Sequence, residues 1–130
     1  MSSVKQFADA LQKLESDRDL DAFVQVFSPD VTLVRPESGS EESSQEGARK
    51  FWETYLAQFS EITSTFSRLE ESGPLGELEW QSEGTLKTGR SIRYRGVSLL
   101  ELDDAGLVRR FATYYDTAAF QAKSGDTTAA

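Results

Sequence analysis

The chain has 130 residues, the size of one domain with little room for a second. It carries 14 Lys+Arg against 22 Asp+Glu, a formal charge of -8, and contains neither His nor Cys. Those two zeros exclude Ser-His-Asp and Cys-His catalysis, a disulfide framework and a Cys/His zinc site, and the acidic balance argues against nucleic acid or an anionic membrane as partner.

At 38% apolar residues the chain can bury a core. No apolar run approaches the ~20 residues that cross a bilayer. The first residues lack a signal-peptide stretch, so a cytoplasmic protein is expected. The acidic excess sits in residues 37–79, and the charge beyond residue 80 is nearly balanced.

Ser3 and Gln6 have capping-box spacing, and Val4, Phe7, Ala8, Leu11 and Leu14 then recur as one apolar helical face. Asp19 caps a second helix with Leu20, Phe23, Val24 and Phe27 on one side, stopped by Pro29-Asp30. Val31 to Val34 is short and β-branched and predicts a strand. Pro36 to Glu46 reads as an acidic loop. Ser43 and Glu46 offer another capping box before the clearest helix, whose stripe is Ala48, Phe51, Trp52, Tyr55, Leu56 and Phe59.

From Glu61 the period changes to two. Ile62 to Glu70 alternates poorly, whereas Leu78, Trp80, Ser82, Gly84 and Leu86 alternate with polar neighbours as a half-buried strand does. Turns at Ser72-Gly73-Pro74, Lys87-Thr88-Gly89 and Asp103 to Gly106 separate it from strands at Ser91–Leu102 and Leu107–Asp116. The order α-α-β-α-β-β-β-β predicts an α+β domain over residues 1–120, with a frayed tail at 121–130.

Asp19-Leu20-Asp21 with Phe27-Ser28-Pro29-Asp30-Val31-Thr32, and Gly106 to Phe111 through Tyr114-Tyr115-Asp116, resemble the nuclear transport factor 2-like superfamily. That group includes ketosteroid isomerase, scytalone dehydratase, SnoaL-like polyketide cyclases and limonene epoxide hydrolase. The resemblance implies a cystatin-like cone, in which a curved antiparallel sheet wraps three helices around an apolar pocket. It also implies a homodimer through the outer sheet face. The known chemistries of the group do not transfer. Arg35 stands where ketosteroid isomerase places its base, and Leu11 near its helix-borne Tyr. Scytalone dehydratase needs His. The positions matching the limonene epoxide hydrolase set are Ser82, Gly84, Thr113, Leu33 and Arg35.

The resemblance therefore implies a binding protein for a small apolar molecule, with no cofactor and no metal. The expected pocket residues are Phe23, Phe27, Leu33, Arg35, Trp52, Tyr55, Trp80, Ser82, Phe111, Thr113 and Tyr115. Each aromatic can equally be core filler. Arg35 is expected at an exposed strand end beside Glu37 or Asp30; entry into the cone, where it would bind a carboxylate or enolate, is the alternative. Asp116 and Glu83 are weak catalytic candidates, because strand alternation turns both outward when Thr113 and Ser82 face in. An isomerase, cyclase, dehydratase or epoxide hydrolase using some other carboxylate remains open, as does a packed cone that only self-associates.

Overall fold

In a computed structural model, the structure describes residues 3–36 and 38–120; the expected tail and Glu37 lie outside them. Helix α1 (Ser3–Asp17) buries Val4, Phe7, Ala8, Leu11 and Leu14, the face that its spacing requires. Glu71 of the later sheet accepts from the N–H of Val4 (2.9 Å), satisfying one free donor of the first turn. Asp19 caps α2 (Leu20–Phe23) by accepting from Ala22 N. This helix is shorter than its apolar spacing suggests. A 3-10 turn (Val24–Val26) follows, and Phe27 already opens strand β1 (Phe27–Arg35). Pro29 disfavours helical geometry at Ser28, so the chain extends before the proline is reached.

The acidic stretch after β1 is not all loop. Gly39, at φ 71, closes a turn that folds β2 (Ser40–Ser43) antiparallel onto β1. A polar sequence suffices there because β2 is an edge strand that buries no face of its own. Helix α3 (Ser44–Leu56) buries Ala48, Phe51, Trp52, Tyr55 and Leu56. Its first turn is held by the Ser44 hydroxyl, which accepts from Gly47 N (3.3 Å). Phe59 is fully buried, but as the first residue of β3 (Phe59–Ser72). Irregularities at Phe59/Glu61 and Phe66/Arg68 break the alternation of β3, which is why its sequence alternates poorly.

Strands β3, β4 (Leu75–Leu86), β5 (Ser91–Leu102) and β6 (Val108–Tyr115) form the expected antiparallel meander. β1 joins it parallel to β6, so the six-stranded sheet is mixed, in the order β2-β1-β6-β5-β4-β3. A last 3-10 turn spans Thr117–Phe120. The curved sheet wraps α1 and α3 into the cone, with α1 against β3 and α3 against β1.

One end of the cone is solid. Phe7, Phe23, Phe27, Phe51, Trp52 and Phe111 meet there with ring centroids 5.2–6.0 Å apart, mostly edge to face or tilted. Among the described residues no helix is long and apolar enough to cross a membrane.

Candidate functional site

Beyond that aromatic cluster the cone contains a cavity lined by Leu11 and Glu15 of α1, Arg35 of β1, Phe51, Trp52 and Tyr55 of α3, and inward residues of the meander. The meander contributes Ser64 of β3, Trp80 and Ser82 of β4, Ser98 of β5, and Phe111, Thr113 and Tyr115 of β6. About 390 Å³ lies between the walls when the open mouth is included, but only about 30 Å³ takes the centre of a water-sized molecule. A benzene-sized guest needs roughly 150 Å³ by that measure, so anything larger than water requires the wall to move. Glu15, Arg35, Trp80 and Tyr115 are the partly exposed members of the wall and mark its mouth.

The sheet brings the mouth residues together. Trp80 and Tyr115 both oppose Gly96 in the ladders, and their rings meet over it with centroids 6.0 Å apart. A Cβ at Gly96 would lie 2.6 Å from the Trp80 ring and 2.3 Å from Tyr114 O, so only glycine fits. The Trp80 indole donates to Ser98 Oγ (3.0 Å), which is itself 3.0 Å from Thr113 Oγ1.

Two donors in the wall have no such partner. Arg35 Nε and Trp52 Nε1 are buried and make no hydrogen bond. The Arg35 guanidinium stacks on Phe51, its carbon 3.9 Å from the ring centroid. This corrects the expectation of an exposed ion pair: Asp30 instead accepts from the Ser28 hydroxyl, and Arg35 turns inward.

Glu15 is the residue that sequence reasoning missed. Its carboxyl accepts from Ser64 N (2.8 Å) and Ser64 Oγ (2.5 Å). Burial pushes it up to about 7, against the two Ser64 donors that pull it down. The signal lay in α1: the ladder Val4, Ala8, Leu11 reaches position 15 at the next step, where an apolar residue belongs and a carboxylate stands. Phe51, Ser64 and Ser98 also line the cavity without having been singled out as site residues. Ser98 has the inward parity of Tyr94 and Leu100, whereas the irregular β3 hid Ser64.

Of the expected pocket residues, Arg35, Trp52, Tyr55, Trp80, Ser82, Phe111, Thr113 and Tyr115 line the cavity. Phe23, Phe27 and Leu33 do not; all three are buried in the core, Phe23 and Phe27 within the aromatic cluster at the solid end. The carboxylates of Asp116 and Glu83 stand outside. Asp116 accepts from Ala118 N (3.1 Å) to cap the last turn, and Glu83 pairs with Arg93 across the outer face (3.6 Å). Among the described residues no group of three His, Cys, Asp or Glu side chains is placed to hold a metal ion.

The SnoaL-like domain family matches residues 4–111. The chain belongs to the SnoaL-like family. No curated protein matches this SnoaL-like chain in sequence. Its structure is similar to that of a nuclear transport factor 2-like protein of unknown function from Burkholderia pseudomallei, at TM-score 0.80 and 21% identity, covering 92% of this chain and 95% of that one. It is also similar to a Mycobacterium tuberculosis protein in complex with estradiol-17beta-hemisuccinate, at TM-score 0.76 and 17% identity, covering 92% and 98%. A third is the epoxide hydrolase/cyclase-like enzyme of pyran ring formation in salinomycin, at TM-score 0.75 and 16% identity, covering 88% and 92%. These likenesses establish the fold.

Proposed function

We propose that this SnoaL-like protein binds a small, mainly apolar molecule whose carbonyl or carboxylate oxygen accepts from Arg35 and Trp52. The observation that carries this reading is the pair of buried, unpartnered donors in a wall rich in aromatic side chains. A buried donor left unmade costs about 1–3 kcal/mol, which a ligand oxygen removes on binding. The steroid ester held by the Mycobacterium tuberculosis neighbour supports the same kind of occupant. The guest enters at the partly exposed Glu15, Arg35, Trp80 and Tyr115 and widens the cavity as it does so.

The chain contains two tryptophans, and both line the cavity, so its intrinsic fluorescence reports occupancy without a label. Cyclohexanone and cyclohexanecarboxylate are expected to change it saturably in the wild type, and Thr113→Trp to abolish binding by filling the space. A panel of apolar ketones and acids giving no saturable change would remove this reading.

Glu15 favours a second reading, an enzyme that moves a proton. A carboxyl that ionises near neutrality beside an apolar cavity is matched to taking a proton from carbon next to a carbonyl and returning it elsewhere. The electron pair would rest on the carbonyl oxygen, opposite Arg35 and Trp52. Deuterium uptake by bound cyclohexanone in heavy water, lost in Glu15→Gln, tests it; no catalysed uptake by a wild type that binds the ketone counts against it.

Leu99 and Tyr114, 38% and 43% exposed on the outer face of β5 and β6, support a homodimer through that face. Light scattering is expected to give twice the chain mass at micromolar concentration, and a monomer throughout would exclude the dimer.

A further inference from the structure

The Ser64 hydroxyl donates to Glu15 Oε2 (2.5 Å) and lies 2.5 Å from Ser82 Oγ, its register partner on β4. A hydroxyl has one proton and two lone pairs. With the proton committed to Glu15, Ser82 must donate to Ser64, and one lone pair of Ser64 Oγ stays unused. The backbone is pinned as well: Ser64 N donates to Glu15 Oε1 (2.8 Å), and Gln12 donates to Ser64 O (3.1 Å). Ser64, Ser82 and Glu15 all line the cavity.

An alcohol hydrogen-bonded to a base that is itself held in place is the arrangement that activates a nucleophile. The base is ordinarily an imidazole, which ionises at about 6.5, and this chain has no His. A carboxylate in its ordinary range is too weak to replace it. Burial brings Glu15 to about 7, into the imidazole range. The groups around it leave that role intact. Tyr55 of α3 and Tyr94 of β5 are held protonated by burial, and Tyr115 of β6 and Arg35 of β1 line the same cavity. On β3, Arg68 pairs with Glu70 and Glu71 accepts from Val4 N; β4 presents Trp80 and Ser82. On the α1 side, Arg18 is taken by Leu56 O and Phe59 O.

We infer that Ser64 is a nucleophile and Glu15 its general base, a pair that accepts the acyl group of a small apolar ester. The inference rests on a guest entering the cavity, as proposed above, and adds a covalent step. Glu15 takes the hydroxyl proton as Ser64 Oγ bonds to the carbonyl carbon. The bond from that carbon to the alcohol oxygen then breaks, and Glu15 returns the proton to the departing alcohol. Water next bonds to the acyl carbon while Glu15 takes one of its protons. The Ser64 ester breaks, and Oγ recovers that proton. Ester and water become acid and alcohol. Negative charge collects on the carbonyl oxygen in each half, and Arg35 Nε and Trp52 Nε1 lie in the same cavity wall without partners.

Methanesulfonyl fluoride tests the nucleophile without turnover, because Oγ displaces fluoride and keeps the sulfonyl group. Peptide mass mapping is expected to place that group on Ser64, with hydrolysis of p-nitrophenyl acetate lost in proportion. The labelling rate should rise with pH to a plateau with its midpoint at about 7. Glu15→Gln should remove the midpoint and slow labelling about a hundredfold. Label found only on other residues, or a Ser64 rate that Glu15→Gln leaves unchanged, would overturn the inference. Ser64→Cys separates a closed cavity from an inert serine, since the chain has no Cys of its own. Iodoacetamide is expected to alkylate the introduced thiol. Alkylation there with no label on wild-type Ser64 overturns the nucleophile and leaves the cavity reading standing. A thiol left unmodified in the folded protein overturns the inference through access, and the tryptophan titration then decides the binding reading by itself.

Discussion

Ser64 holds the Glu15 carboxyl with two donors, its backbone N–H at 2.8 Å and its hydroxyl at 2.5 Å. That relation joins α1 to β3 and places a carboxyl at the mouth of the cavity. The two bonds do not offset burial, which leaves the group ionising at about 7, above its ordinary 4.5. Because the folded value exceeds the unfolded one, the associated stability is complete below about pH 4.5 and is lost as pH rises to about 7.

Glu15→Gln removes that loss. Other carboxylates titrate in both proteins, so the difference between them isolates Glu15. Urea unfolding is expected to show the wild type losing on the order of 3 kcal/mol relative to Glu15→Gln between pH 4 and 8. Parallel stability curves across that range would contradict the burial of Glu15.

Arg18 ends α1 at φ 57, a left-handed conformation that costs a side-chain-bearing residue about 1 kcal/mol. It is kept there by its guanidinium, which donates to Leu56 O and Phe59 O (both 3.1 Å) and so ties the end of α3 to the start of β3. Arg18→Ala loses both bonds and keeps the strain, whereas Arg18→Gly loses the bonds and relieves it. The alanine variant should therefore be the less stable by about 1 kcal/mol in thermal or chemical unfolding. The reverse order would show that the backbone does not hold this conformation.

Gly96 lets Trp80 and Tyr115 meet at the mouth. In Gly96→Ala the new methyl group falls on Tyr114 O and the Trp80 ring, and the rigid ladder on both sides prevents relief. A loss of about 2 kcal/mol or more is expected, with a changed tryptophan emission because Trp80 is displaced. Gly73→Ala, at a turn with φ 57 and nothing within 4 Å of a Cβ, has no clash and should lose only the backbone strain of about 1 kcal/mol, less than Gly96→Ala.

The meander was legible because each turn carried its own residues and β4 alternated cleanly around Leu78, Trp80 and Ser82. The helices were legible by their stripes, but not where they stopped. Phe27 and Phe59 kept the helical spacing and are buried as strand residues, since a fully buried ring satisfies either period. The inward arrangement of Arg35 was hidden because it depends on Phe51, sixteen positions away on another element. Glu15 was hidden differently: a carboxylate on a helix is normally read as its solvated face, and only the two Ser64 donors make its burial tolerable. Such a group becomes visible once every step of the apolar ladder is checked for the residue that breaks it.

The two indole N–H groups give the most direct test of the binding claim. Trp80 already donates to Ser98, whereas Trp52 has no partner, so one signal is the internal control for the other. In a proton–nitrogen correlation spectrum titrated with cyclohexanecarboxylate, the Trp52 indole proton should move downfield saturably. The Trp80 signal should move less, and Arg35→Met should weaken the titration about tenfold. A Trp52 signal that stays in place while either probe saturates the protein, or binding that Arg35→Met leaves unchanged, would contradict the account.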